Sequence, residues 1–421
     1  MHSYSDLRKR LPQPTKRHVA WWLAGAVIFL GILTMTTQTS ADSRLRLKGE
    51  ILIESGILNN GQMQGISPRL IVRTAEGGYV VAGKSGWPWA GKVGPSGKTQ
   101  WRYKNSLPGL EDGEYSGAAL QADDSVLLSA NVDIRDGDER RGGVLITHLD
   151  KAGQLLSEKL LSPQPADRYA IINCKLVRTS NGAILFSHVS RTGDAAGRIE
   201  TLTWVVTLSS TGQVLKEAML GQDILGEGPI VSVRQDEAGD IILMRYHVSD
   251  VPDGRQSEAR QIFRLGADLA VRAQTIVKGA LTEAEPDSPQ SKLHLISQGG
   301  RELNVFALHS KSLTVRTGPA AVNLLGTNKA FMLADGSFLL LGRQTQRNLV
   351  ITAAAAWYSS DLKRTEALIL EPPGASFEIA DAVPTGQPGE YAFVRGVTPS
   401  TRMLGHNETR SGAIIQFMQT K

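Results

Sequence analysis

The stretch "EGGYVVAGKSGWPWAGKVGPSGKTQWRYKN", Glu76 to Asn105, decides the fold. Apolar and polar residues alternate through "YVVAG", "WPWAGKV" and "TQWRY", and glycine-rich segments separate the runs. Alternation by two marks strands with one buried side, and glycine supplies the left-handed residue that tight turns need. The stretch therefore reads as two β-hairpins back to back.

The same pattern recurs along the chain. Opening halves are "LIVRTAEGGYVVAG" from Leu70, "AALQADDSVLLSAN" from Ala118 and "KLVRTSNGAILFSH" from Lys175. They continue with "VSVRQDEAGDIILMRY" from Val231, "LISQGGRELNVFAL" from Leu295, "AFMLADGSFLLLGR" from Ala330 and "DAVPTGQPGEYAFVRG" from Asp381. Closing halves such as "VLITHLDKAGQLLSEKLL", "WVVTLSSTGQVLKEAML" and "AAWYSSDLKRTEALIL" add a second hairpin to most units. Four strands per unit, at a spacing of roughly 35 to 60 residues, is the period of a propeller blade. The expected fold is an all-β β-propeller of seven four-stranded blades over residues 44–421. The last unit ends on "SGAIIQFMQTK" with one strand too few, while "RLRLKGEILIES", Arg44 to Ser55, is a strand with no unit of its own. An N-terminal strand that completes the last blade resolves both, and it removes an exposed sheet edge.

At "GKVGPSGKTQWRY" the chain resembles the blade motif of pyrroloquinoline-quinone-type propellers, whose turns read roughly A-x-D-x-x-T-G-x-x-x-W, and the YVTN-like repeats of secreted and periplasmic bacterial propellers. The resemblance covers most of the body as a period, with signature residues complete at Gly97 and Trp101. Ser157, Lys216 and Ala273 stand at the tryptophan position of later units. It implies a fold and carries no activity with it.

Charge is unevenly placed. The first 18 residues hold Arg8, Lys9, Arg10, Lys16 and Arg17 against Asp6, and the rest of the chain is close to neutral. A near-neutral body offers no concentrated basic footprint for nucleic acid, so no nucleic-acid partner is expected. "VAWWLAGAVIFLGILTM", Val19 to Met35, is uncharged, and Trp21 and Trp22 stand at its start. Such a run is long enough to cross a bilayer, and the basic flank keeps the N-terminus cytoplasmic. The expected organisation is a cytoplasmic tail (1–18), a transmembrane signal anchor (19–37), a linker (38–43) and a periplasmic domain in a bacterial inner membrane. Cleavage near Ala41, releasing a periplasmic protein, is the alternative. The single cysteine, Cys174, lies in the apolar run "AIINCKLV" and reads as a buried thiol.

Signals for chemistry are sparse. The eight histidines form no H-x-x-x-H or H-E-x-x-H, and no G-x-S-x-G occurs. "GYVVAGKS", Gly78 to Ser85, fits the phosphate-loop pattern, but its middle reads as a strand and "GWPWAG" follows where a helix must begin. Asp133, Asp136 and Asp138 around Gly137 are the candidate metal ligands, with a solvated loop as the competing reading. Arg73, Arg178 and Arg234 share one repeat position, where each covers its own blade's edge. No catalytic residue and no cofactor is expected.

Connections between second and third strands read as long charged loops: Asn131–Gly143, Ser190–Thr201, His247–Gln261, Arg343–Val350 and Val397–Ser411. Loops held by a rigid scaffold commonly carry recognition. The candidate partner-binding residues are Arg135, Arg140, Arg141, Arg191, Arg198, Arg255, Arg260 and Arg402, together with Trp87, placed at a loop tip. The expected function is a membrane-tethered module that binds another envelope protein without catalysis. The alternative is a propeller enzyme, of quinoprotein or glycan hydrolase or lyase type, with its site in the central funnel.

Overall fold

The computed structural model describes residues 45–55, 66–105, 107–137, 139–164, 170–192, 199–221, 228–236, 238–250, 256–279, 281–286, 293–299, 302–309, 312–318, 324–345, 351–370, 379–397 and 412–420. The cytoplasmic tail and the apolar run at 19–37 lie outside them.

Twenty-eight strands account for the described fold. β1 is Leu45–Ser55. The first unit is β2 Ile66–Arg73, β3 Tyr79–Ser85, β4 Trp87–Val93 and β5 Thr99–Lys104. The second is β6 Leu110–Leu120, β7 Val126–Asp136, β8 Glu139–Leu149 and β9 Leu155–Leu161. The third is β10 Ala170–Thr179, β11 Gly182–Thr192, β12 Ile199–Ser209 and β13 Val214–Leu220. The fourth is β14 Ile230–Gln235, β15 Ile241–Asp250, β16 Gln256–Leu265 and β17 Val271–Lys278. β18 Leu281–Pro286, β19 Leu293–Gly299, β20 Glu302–His309 and β21 Ser312–Gly318 follow. Next come β22 Leu324–Met332, β23 Phe338–Thr345, β24 Ile351–Tyr358 and β25 Arg364–Ile369, then β26 Ile379–Pro384, β27 Glu390–Val397 and β28 Gly412–Thr420.

Each unit is an antiparallel meander that starts at the centre and steps outward, the topology of a β-propeller. The expectation of seven separate blades is corrected, because hydrogen bonding joins the strands into six sheets, five of four strands and one of eight. In the wide sheet β18 runs parallel to β22 through Ala284↔Ala330, Glu285↔Phe331 and Pro286↔Met332, fusing two halves at their central strands. A second correction concerns phase. "LISQGGRELNVFAL" is the second and third strand of its unit, not the first pair, because "LTEAEP" at β18 already supplies the innermost strand. Glutamates at 283 and 285 hide that strand from a reading that looks for apolar alternation.

The ring closes as the unpaired ends of the sequence require. β1 pairs antiparallel with β28 from Leu45↔Thr420 to Ser55↔Gly412 and completes the sheet β1-β28-β27-β26. Register shifts at Leu47/Gly49 and Leu52/Glu54 let this one strand serve two neighbours. Ile53 joins Ile66, Ile71, Val81, Trp89, Val394 and Ile415 in the cluster shared with the first sheet. Leu45 instead packs with Phe331, Trp357, Tyr391, Phe393 and Met418 against the preceding unit.

Other junctions follow the same plan, with apolar residues of adjacent sheets interleaved in buried clusters. Trp89 is buried in the core, as its alternation predicts. Cys174 is fully buried, which pushes its thiol pKa up, and it contacts Ser116 and Ser129. Trp101 on β5 reaches the next unit, where its indole Nε1 donates to the Lys151 carbonyl at 3.1 Å. Gly153 has φ +79°, and a Cβ there would sit 2.5 Å from the Trp101 ring. The one complete signature tryptophan therefore docks on a glycine turn of its neighbour. Ser157, its counterpart on β9, makes only a 3.4 Å bond to Thr211 O. The phosphate-loop match is strand β3, with Lys84 ion-paired to Asp112 and no cradle for a phosphate.

If β1 is the closing element, its buried residues should matter far more than its exposed ones. Ile53→Ala is predicted to lower unfolding stability by about 2–4 kcal/mol, whereas Leu47→Ala, 38% exposed, should cost less than about 0.5 kcal/mol. Equal thermal melts for the two variants would refute this role for β1.

Candidate functional site

Two features of the ring can meet a ligand: the wall of the central channel and one of the two open faces. The channel wall is built by the innermost strands, and a polar link joins each one to the next. Arg69 on β2 is ion-paired with Glu114 on β6. Ser116 Oγ donates to Cys174 O at 3.1 Å, and Asn173 Nδ2 donates to Ile230 O at 2.8 Å. Ser232 Oγ donates to Glu283 Oε2 at 3.2 Å, and Arg234 is ion-paired with the same carboxylate. Thr282 Oγ1 donates to Thr327 O at 2.6 Å. Lys329 Nζ bridges Glu285 Oε1 at 2.5 Å and Asp381 Oδ1 at 3.1 Å. Asp381 Oδ2 then accepts the Ile71 amide of β2 at 3.1 Å, which completes the circuit.

This belt sets the protonation of its members. Burial raises the Glu283 carboxyl above its ordinary range, and the Arg234 guanidinium pulls the other way. Burial alone would lower the Lys329 ammonium, but Asp381 and Glu285 raise it well above its ordinary value, so it stays charged. Sequence reasoning missed the belt altogether. Its members stand one per strand at distant positions, and only ring closure brings them together. Charged residues inside otherwise apolar short strands, in "LTEAEP", "LLGTNKAFM" and "IADAVP", were the available signal.

The face predicted to bind a partner differs from expectation in form. The connections expected as loops are largely continuous β-ladder. β7 and β8 remain paired out to Asp136↔Glu139, although the outer strand β9 stops opposite Val144. β11 and β12 pair out to Thr192↔Ile199, beyond the end of β13 at Thr203. β15 and β16 pair out to Asp250↔Gln256, past the last partners on both β14 and β17. The innermost strands still back these ladders, β6 as far as Ile134 and β10 as far as Ser190, so the two-stranded arms proper are the tips Arg135–Asp136, Arg191–Thr192 and Val248–Asp250 with their paired partners. Cross-strand charge pairs such as Arg191–Glu200 favour ladder over loop, and that pair is opposed in register at 2.6 Å.

The predicted partner residues divide accordingly. Arg135, Arg141 and Arg191 lie on the arms; Arg135 is exposed and ion-paired with Glu111 at 2.5 Å. Arg260 lies below the third arm, opposite Val277 of β17, and is 9% exposed, held by Glu258 at 2.8 Å and lying 5.2 Å from the Tyr246 ring centre. Arg140 is an arm strand residue whose side chain lies outside the described residues, as do Arg198, Arg255 and Arg402. Trp87 is corrected. It pairs with Ser85 across Gly86 and packs half-buried on the cluster between the first and second units, so Gly86, not Trp87, forms the tip. Asp133 is a paired strand residue opposite Gly142, Asp136 ends the same strand, and Asp138 lies outside the described residues. Among the described residues no group of three His, Cys, Asp or Glu is placed to hold a metal ion.

Beneath the arms sits a buried pair missed by the sequence reading. Arg245 on β15 is fully buried and donates to Gly228 O at 2.6 Å and Thr203 Oγ1 at 2.7 Å. His188 on β11 is 3% exposed, and neither ring nitrogen has a hydrogen-bond partner. Burial, reinforced by the Arg245 charge, pushes its pKa down to about 4. The opposite face carries a groove of about 570 Å³, lined by Asp335, Trp357, Pro384, Gln387, Pro388 and Tyr391 among others.

No protein-family model and no curated protein sequence matches the chain. Among solved structures it is similar to the polysaccharide lyase Uly1, with 10% identity, a TM-score of 0.51 and coverage of 89% of this chain and 100% of that one. It is also similar to the β-propeller domain of the Trilobed protease from Pyrococcus furiosus, described as having an open velcro topology, at 9% identity and a TM-score of 0.42. That match covers 79% of this chain and 90% of the domain. A puromycin-hydrolyzing peptidase of Mycobacterium tuberculosis matches at 13% identity and a TM-score of 0.43, over 87% of this chain and 53% of that one. These likenesses are of fold alone: the chain is an all-β propeller.

The buried pair gives a pH prediction. A histidine whose folded pKa lies below its unfolded value near 6.5 leaves the unfolded state binding the extra proton at intermediate pH. Stability is complete above about pH 6.5 and is lost as pH falls toward 4, by on the order of 3 kcal/mol. Thermal melts across that window should show this loss, and His188→Gln should flatten it. An unchanged slope in the variant would show that His188 is not its source.

Proposed function

We propose that the protein is a membrane-tethered envelope propeller that docks another protein through its hairpin arms, without catalysis of its own. The observation that carries this reading is the set of arm tips on β7–β8, β11–β12 and β15–β16, where Arg135–Asp136, Arg191–Thr192 and Val248–Asp250 pair with their partners past the end of every neighbouring strand. Val248, on the third arm, is 38% exposed. Arg135, Arg141 and Arg191 supply charge on the first two arms. Arms with both charge signs and apolar positions suit a protein surface, where complementary charge sets specificity and on-rate. The uncharged run Val19–Met35 behind a basic flank supports the tether and a periplasmic site for the domain.

A propeller enzyme is the second reading, favoured by one observation. Glu283, Glu285, Lys329 and Asp381 stand on three successive innermost strands, and Glu283 has a raised carboxyl pKa, as a general acid requires. In-ring ion pairs already engage all four, which favours a structural role for them. Purified protein incubated with calcium and pyrroloquinoline quinone separates the two readings. A shift of many degrees in melting temperature supports the enzyme.

Replacing residues 191–200 with an Asn-Gly turn removes the middle arm while keeping the ladder below it. Cross-linking in envelope fractions is predicted to recover at least tenfold less of the partner with this variant, at an unchanged melting temperature. Equal recovery would exclude that arm from docking.

A further inference from the structure

We infer that the domain stands on its membrane with the arms pointing away, so that the docked partner is met in the aqueous space and not within the same bilayer. The inference rests on the anchor reading above and adds an orientation to it. β1 runs from Leu45, opposite Thr420, to Ser55, opposite Gly412. β27 and β28 pair from Glu390↔Gln419 to Val397↔Gly412, so Leu45 and Thr420 lie at the end of the sheet that bears the Pro384–Glu390 turn. That is the face of the short turns and the groove. Ser55 and Gly412 lie at the end where second and third strands connect, which is the face of the arms.

The tether therefore enters the domain on the turn face. Residues 38–44 separate the apolar segment from Leu45. Fully extended, seven residues reach about 25 Å, and as a flexible chain their root-mean-square span is about 15 Å. β1 has 11 residues and is about 35 Å long. For the arms to touch the bilayer, Leu45 would stand about that height above it, beyond the tether's full extension. With the turn face toward the lipid, no stretching is needed. Turns on that face carry Glu76, Asp124, Asp150, Asp268 and Asp361 together with Lys98, Lys151 and Lys363, so the face presents both signs of charge to the lipid.

Full-length protein in vesicles of phosphatidylethanolamine and phosphatidylglycerol tests this. Because Cys174 is fully buried, a maleimide dye reports an introduced cysteine, Ser96→Cys on a turn or Val248→Cys on an arm. Energy transfer to a headgroup acceptor is expected to be at least twofold stronger from position 96. Inserting twenty Gly/Ser residues between Ala41 and Asp42 should bring the two signals together. Equal transfer in the unmodified linker, or a difference that survives the insertion, would overturn the orientation. Failure of the protein to float with the vesicles would instead overturn the anchor.

Discussion

The ladder between β1 and β28 is the constraint on which the rest of the structure depends. It ties Leu45 to Thr420 and Ser55 to Gly412, across nearly the whole chain. Without it the last sheet would end at β28 with an unpaired edge, and such an edge invites association with other chains. The ladder also places Leu45 and Ile53 into the clusters on either side of the closing sheet. Closure therefore comes from backbone pairing and from packing at once. No disulfide assists it, since Cys174 is the chain's only cysteine.

Closure also explains the channel belt. Arg69, Glu114, Arg234, Glu283, Glu285, Lys329 and Asp381 are distant in sequence and meet only because the ring brings the innermost strands together. Each link crosses from one strand to the next. A half-buried charge pair adds little net stability on its own, but losing one partner strands the other in a poorly hydrated site. The belt thus penalises mispairing between units more than it stabilises the correct ring. That suits a repeat protein whose meanders resemble one another and can be confused during folding.

Most of the architecture was legible because strand alternation and turn chemistry are local. "YVVAGKSGWPWAGKV" folds as two strands about Gly86, and the orphan strand, at Leu45–Ser55, pairs where the incomplete last unit needs it. What escaped was non-local or mixed in pattern. β18 was passed over because Glu283 and Glu285 break its apolar rhythm, and these same residues bond to the innermost strands on either side. The fusion of β18 with β22 depends on a parallel contact that no local pattern encodes. Charged stretches such as Asn131–Gly143 read as loops because their residues are polar, yet a ladder needs only backbone partners and tolerable cross-strand neighbours. Arg135, Arg141 and Arg191 could be named as candidates from composition, whereas the His188–Arg245 pair could not, since two buried polar residues on separate strands leave no shared signature.

The placement of charge gives the molecule its polarity. Lys329 in the belt is saturated by two carboxylates, and Arg264 near the turn face is held by Asp236 and Asp240. Groups so engaged are costly to redirect toward a ligand, because any new contact must first replace an existing partner in a poorly hydrated site. Arg135 on the first arm, at 63% side-chain exposure, is bound by a solvent-screened pair worth little to the fold. Such a side chain can exchange partners at small cost. A surface that is to recognise another protein needs that combination, a rigid base beneath side chains free to re-pair. In this ring Arg135 has it, and Lys329 in the belt does not.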